Sequence, residues 1–315
     1  MKFLVAFIIF IIILFFYCHI WYHLKTSDDL EMYEIEKPSK EKLENLCDLR
    51  QPILIKYNDD KLNNELNVDA IFNTYCNFDI KMRNTKDLDD DNKKEKYIPL
   101  ILKNAIKLFN GDKESKYITE NNGDFIDETG LIKTFKSNDF FIRPYMVASC
   151  EYDIIKGSEG SIVPLKYDLN YRNYLYVNSG DIRIKITPPK NSKYLYSKHN
   201  YNQFDEDFEF NSLINVWNPQ EKYLNDYNKV KFLELTCKKG DLLYIPSYWW
   251  YSIKLNNNSC ILNFKYKTYM NIISILPQIT LYNLQKLNIK FTTEKKFDMD
   301  LSGNIISNNS LNSSQ

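Results

Sequence analysis

Histidine is nearly missing from this chain: there are 3 in 315 residues. Only His199 lies outside the apolar N-terminal segment, which leaves little from which to build a zinc site. Cysteine is equally uninformative as a metal framework. Cys47, Cys76, Cys150, Cys237 and Cys260 are widely and irregularly spaced, with no CxxC pair. They read as small buried residues in a reducing compartment. No excess of one charge exists either: Lys+Arg and Asp+Glu are 41 each. With a pI of about 6.8 and no basic patch, nucleic-acid binding is not expected. Glycine is scarce at 8, and the abundant Lys, Asn and Ile read as coding bias, so the Asn-rich runs carry little functional weight. That applies to the acceptor-like Asn257-Asn258-Ser259 and Asn308-Asn309-Ser310.

What is present begins with one long apolar run, Phe3 to Tyr22. It reaches the roughly 20 residues that a helix needs to cross a bilayer. A cleaved signal peptide is the rival reading, since Lys2 supplies a basic start. The run is long, however, and ends in Cys18, His19, Trp21 and Tyr22 rather than small residues. Trp and Tyr at that end suit the headgroup belt. We read residues 1–25 as an uncleaved, single-pass transmembrane anchor. The lysine excess after it (Lys25, Lys37, Lys40, Lys42, with Arg50) favours a cytosolic body.

The length suggests about two domains. Residues 26–139 form an N-terminal α/β flanking region. Thr26 to Glu36 reads as an acidic spacer, and Ser39 to Leu49 as an amphipathic helix capped by Ser39, with Leu43, Leu46 and Leu49 on one side. Pro52 to Tyr57 is a strand. Lys86 to Lys96 is a solvated charge run whose spacing rules out an EF-hand. Ile98 to Phe109 reads as a helix burying Leu100, Ile101, Ala105 and Leu108. Residues 140–267 are the β core, and Tyr201 to Asn228 is a long polar insertion carrying Trp217, either a binding surface or freely varying loop. Residues 268–300 are a C-terminal helical region with Leu281, Leu284 and Leu287 on the helix Pro277 to Ile289. A disordered Ser/Asn tail, 301–315, ends the chain.

Two stretches of the core share one grammar. In Val163 to Pro189, Pro164 opens an alternating run to Asp168, a turn follows, then a strand from Tyr174 to Asn178, Ser179-Gly180 and another strand. In Lys238 to Leu255, Gly240-Asp241 turns into Leu242 to Ile245, Pro246-Ser247 break the ladder, and the aromatic cluster Tyr248 to Tyr251 enters the next strand. Short strands of this kind suit a closed barrel. The order PLKYD, strand, Gly180, strand, Pro188-Pro189, Leu195-Tyr196, GDLLYIPSYWW and ILNF resembles the JmjC-type cupin-like proteins, most closely the branch containing the hypoxia-inducible-factor asparaginyl hydroxylase. The resemblance runs over Ile154 to Tyr266 and loosely from Glu34, where Arg50 to Ile55 matches the opening strand. It implies a mainly β fold with flanking helices: a double-stranded β-helix, or jelly roll, behind the N-terminal transmembrane helix.

The resemblance also says where chemistry should sit. Active members hold Fe(II) with a His-x-Asp/Glu pair and a distant His. Those positions are here Lys166, Asp168 and Tyr251. The Lys that grips 2-oxoglutarate in the family falls at Ile182, and an assisting Thr at Val163; Asn263 matches an Asn near the iron. Only Asp168 survives as a ligand, and an ammonium has no free lone pair for a metal. Lys166 and Asp168 leave the same face of a strand, so the Lys166 ammonium is expected to balance a buried Asp168 in place of the metal, with Tyr251 and Ile182, Ile184 and Ile186 as core. The rival is a solvated Lys166 at the barrel mouth. Two function classes follow. One is a catalytically silent, membrane-tethered binding or structural module without a cofactor, with an unknown protein partner and a homodimer through the C-terminal helix that the resemblance implies. The other is an Fe(II)/2-oxoglutarate-dependent hydroxylase with atypical ligation through Asp168 and Tyr251.

Overall fold

A computed structural model describes residues 2–85, 97–198, 209–256, 258–288, 297–299 and 305–307. The charge run 86–96, His199 and the first part of the insertion lie outside the described residues. The apolar run forms helix α1 (Lys2–Leu24), long and apolar enough to cross a membrane, a property that signal sequences share. Its last turn is docked on the domain. His23 is buried 5.2 Å from the Tyr171 ring and shares a 3.4 Å hydrogen bond with Thr268 Oγ1. Arg50 lies over both Tyr22 and Tyr171.

The flanking region holds β1 (Tyr33–Glu36), α2 (Lys40–Cys47), β2 (Ile53–Lys56), α3 (Asp60–Glu65), α4 (Val68–Thr74), β3 (Asp79–Asn84), β4 (Ile98–Ile101), α5 (Leu102–Gly111), β5 (Tyr117–Thr119), α6 (Gly123–Glu128) and α7 (Ile132–Asn138). Its helices start where local chemistry dictates. Ser39, Asp59 and Asn67 accept hydrogen bonds from the first-turn amides of α2, α3 and α4. Three sequence expectations need correction. Leu49 is exposed, and Cys47 joins Leu43 in the core. Part of the supposed spacer is a strand, because β1 adds in parallel to β2 at the sheet edge. The expected helix from Ile98 is a strand first: Ile98, Pro99, Leu100 and Ile101 pair with β3, since β-branched residues and an edge Pro favour extension. α5 then buries Leu102, Ala105 and Phe109, so Ile101 and Leu108 drop out of the stripe.

The β core holds β6 (Val147–Gly157), β7 (Ile162–Asp168), β8 (Arg172–Ser179), β9 (Asp181–Thr187), β10 (Ser197–Lys198), β11 (Glu209–Ser212), a short α8 (Leu224–Tyr227), β12 (Leu233–Lys238), β13 (Asp241–Ile245), β14 (Trp250–Leu255) and β15 (Cys260–Thr268). α9 (Tyr269–Ser274) and α10 (Leu276–Asn288) follow. In the tail, 305–307 pair with 297–299, and the rest of 301–315 is not described. The larger sheet runs β1-β2-β13-β8-β15-β6-β5-β3-β4 and the smaller β10-β11-β7-β14-β9-β12. β6 to β9 and again β12 to β15 alternate between the two sheets, which is the jelly-roll winding the motifs implied. The turn into β13 uses Gly240 at φ +87°, where the Asn58 side chain lies 3.0 Å from where a Cβ would stand.

Three layers result. The helices cover the outer face of the larger sheet over Tyr174, Tyr176, Tyr244 and Phe264. The interior between sheets is Val163, Leu175, Val177, Ile182, Ile184, Ile186, Ile253 and Leu255. The outer face of the smaller sheet is covered by the insertion. Ile214, Val216, Tyr223 and Val230 bury Leu165 and Trp250, so the described part of that segment is core cover rather than free loop. Trp217 donates to Ser252 Oγ and stacks under Arg183 and Lys185.

Candidate functional site

β7 aims the side chains. Tyr251 pairs with Lys166 but Ile253 pairs with Val163, so between them two residues of β7 oppose one of β14. The extra residue falls at Pro164 and Leu165, and a Pro that cannot donate to a ladder belongs in such a bulge. Its effect is to return Val163 and Lys166, an odd number apart, to the same interior face. Beyond it Leu165 points out, and Lys166 and Asp168 point in. The three positions where the family resemblance places metal ligands are thus brought together. Lys166 and Tyr251 are cross-strand neighbours, and all three are buried.

Their bonding partners are not those expected. Lys166 is buried, as anticipated, but the acid it reaches is Glu120, with Nζ to Oε2 at 2.8 Å. Glu120 follows β5 and also pairs with Arg83 on β3. The cation beside Asp168 is instead Lys265 on β15, 3.5 Å from Oδ1. The other Asp168 oxygen accepts from Tyr251 OH at 2.8 Å and from Asn173 Nδ2 at 2.8 Å. Oδ2 is therefore engaged by two protein donors, whereas Oδ1 has the Lys265 ammonium nearby and no hydrogen-bond partner among the described residues. This donor set does not fit Fe(II): one position offers an ammonium, one a phenol spending its proton on the acid, and the acid lies beside a second ammonium.

The co-substrate positions are apolar. Val163, Ile182, Ile184 and Ile186 are all buried within one hydrophobic cluster. A dicarboxylate placed there would find no cation among them, because the charged side chains between, Arg183 and Lys185, face Trp217 on the other side. Burial lowers the Lys185 pKa, with Glu234 opposing the shift. Asn263 is buried on β15, where it pairs with Leu175 and Asp153, and its Oδ1 has no hydrogen-bond partner among the described residues.

Arg83, Glu120, Asp153 and Lys265 escaped the sequence reading. The alternation Asn263, Phe264, Lys265 on β15 was the signal that pointed to an inward lysine. Asp153 and Lys265 line a cleft of about 140 Å³, with Asn121, Glu151 and Tyr152. Asp153 accepts from the amides of Asn121 and Asn122 at 2.7 and 2.9 Å. Desolvation nevertheless raises its pKa, and Glu120 adds to the rise. Three cysteines are held as thiols by burial, which pushes Cys237 and Cys260 up to about 12 and Cys47 to about 11.

The sequence pattern of the cupin-like domain matches residues 86–271. Among curated proteins, JmjC domain-containing protein D of Dictyostelium discoideum is 33% identical over 99 residues, 31% of this chain and 21% of that protein. HSPB1-associated protein 1 of Homo sapiens is 28% identical over 130 residues, 41% of this chain and 26% of that protein. The chain thus spans about a fifth to a quarter of the length of these relatives. With the pattern covering more than half of its length and the strands wound as a jelly roll, the chain belongs to the cupin-like domain family.

Proposed function

We propose that this is a membrane-anchored, non-catalytic cupin-like module in which internal ion pairs hold the place of the family's metal and apolar side chains that of its co-substrate. The observation that carries the reading is the state of Asp168, whose Oδ2 accepts from Tyr251 and Asn173 while its Oδ1 lies 3.5 Å from the Lys265 ammonium. A buried carboxylate with these partners is compensated without a divalent ion. The anchor is α1, with the body on the cytosolic side. The role is binding: the barrel is a rigid frame for a protein partner, and a homodimer forms through α10, where Leu281 and Leu284 are exposed. One relative's name, HSPB1-associated protein 1, speaks of protein association for that protein.

The test is Fe(II) titration and 2-oxoglutarate turnover by the full-length chain in detergent micelles. The expected result is no stoichiometric iron at neutral pH and no decarboxylation above the protein-free rate. Stoichiometric iron with turnover lost on Asp168→Ala overturns the proposal in favour of a hydroxylase with rebuilt ligation.

A further inference from the structure

The C-terminal end of α1 is seated directly on the domain, ahead of the connection 25–32 that leads into β1. His23 is buried against Tyr171 and Thr268, and α1 packs along α9. Beside this seat runs a groove of about 540 Å³. One wall is α1 itself, through Cys18, His19 and Tyr22; the other includes Tyr145, Met146 and Tyr269 of the domain. These three domain residues are strongly exposed, at 66%, 75% and 57%.

The depth of the groove decides its surroundings. A span of about 20 residues fills the hydrocarbon core, and one ending in the Trp21-Tyr22 belt places Cys18 about 6 Å inside that end. Any part of the domain that flanks Cys18 therefore flanks the boundary between headgroups and acyl chains. Tyr145, Met146 and Tyr269 carry the side chains such a layer accepts: amphipathic rings and a flexible thioether. At their edge the Lys40 ammonium lies 4.6 Å from the Phe140 ring centre and 5.1 Å from that of Tyr145, with Phe140 also exposed. A cation resting on aromatic rings suits a snorkelling position beside lipid phosphates.

From this geometry we infer that the face of the domain around Tyr145, Met146 and Tyr269 is a second membrane contact, with a phospholipid of the surrounding bilayer occupying the groove. The inference rests on α1 being a membrane span. An exposed apolar patch of this size on a free domain would point to a protein partner. Here one wall of the groove is the membrane-crossing surface of α1, so lipid is already the neighbour that any protein would have to displace.

The experiment uses the unmodified full-length chain in phosphatidylcholine vesicles doped with a phosphatidylcholine that carries a photoactivatable diazirine near its headgroup. After irradiation, lipid adducts are mapped by mass spectrometry. The expected result is adducts on α1 and on the segments 140–147 and 268–272, with none on 221–240 of the cover over the smaller sheet. Adducts confined to α1 overturn the inference and leave the span standing. Adducts absent from α1 as well overturn the span, and the inference falls with it.

Discussion

The two ends of the barrel interior are filled in different ways. At the co-substrate end, Val163, Ile182, Ile184 and Ile186 are small and branched, and they simply join the oily layer between the sheets. Around Asp168 the interior is charged: Arg83 and Lys166 close on Glu120, and Lys265 on Asp168. An apolar filling is stable by transfer and packing alone. A buried ionic filling holds only while every charge keeps its counterpart, and it is weak evidence for stability as such. The difference teaches that a barrel interior can be either tolerant or brittle, depending on whether apolar or charged side chains fill it.

Three measurements press on that contrast. Glu120→Leu removes the acid shared by two buried cations and should have the largest effect, about 3–5 kcal/mol of unfolding free energy in urea melts. A loss below 1 kcal/mol would mean that the polar end is solvated and no more brittle than the rest. Ile184→Ala should cost less, about 2–4 kcal/mol, through transfer and the cavity left behind. If it matches or exceeds the Glu120 change, the ranking of the two ends is reversed. The smallest effect is in pH. Asp153 keeps its proton in the folded state above the usual carboxylate range, because burial disfavours its charge. Over the window from about pH 4 up to that raised value, the native state binds more protons than the unfolded chain, so stability should fall as pH rises. Urea midpoints measured across that window should slope downward for the native chain and lose this component in Asp153→Asn. An unchanged slope would remove Asp153 from the account.

Much of this interior could be read from the chain itself, for a local reason. Pro164, Lys166 and Asp168 sit in one strand, and Trp249, Trp250 and Tyr251 enter another after a Pro break, so short-range patterns fixed which positions meet. The partners could not be read in the same way. Glu120 and Arg83 come from strands outside the repeated grammar, 46 residues from Lys166 in the case of Glu120. Nothing in a neighbourhood of YITEN or KMRN announces an inward charge. Lys166 was consequently matched with the acid two residues away rather than the one across the barrel. Ile98 to Phe109 failed for another reason: a run of apolar residues satisfies a helical stripe and a buried strand equally, and pairing with β3 decided between them.

The seat of His23 has a consequence for how the molecule is made. Its partner Thr268 lies 245 residues later in the chain. At roughly 5–20 residues per second of synthesis, the interval between the two is about 12–50 s. During that time the helix leaves the ribosome without its dock, because β15 and α9 have yet to be translated. The bond between the first element and the last strand of the barrel is therefore among the final steps of assembly, and a chain truncated before residue 268 would carry its leading helix on a loose hinge.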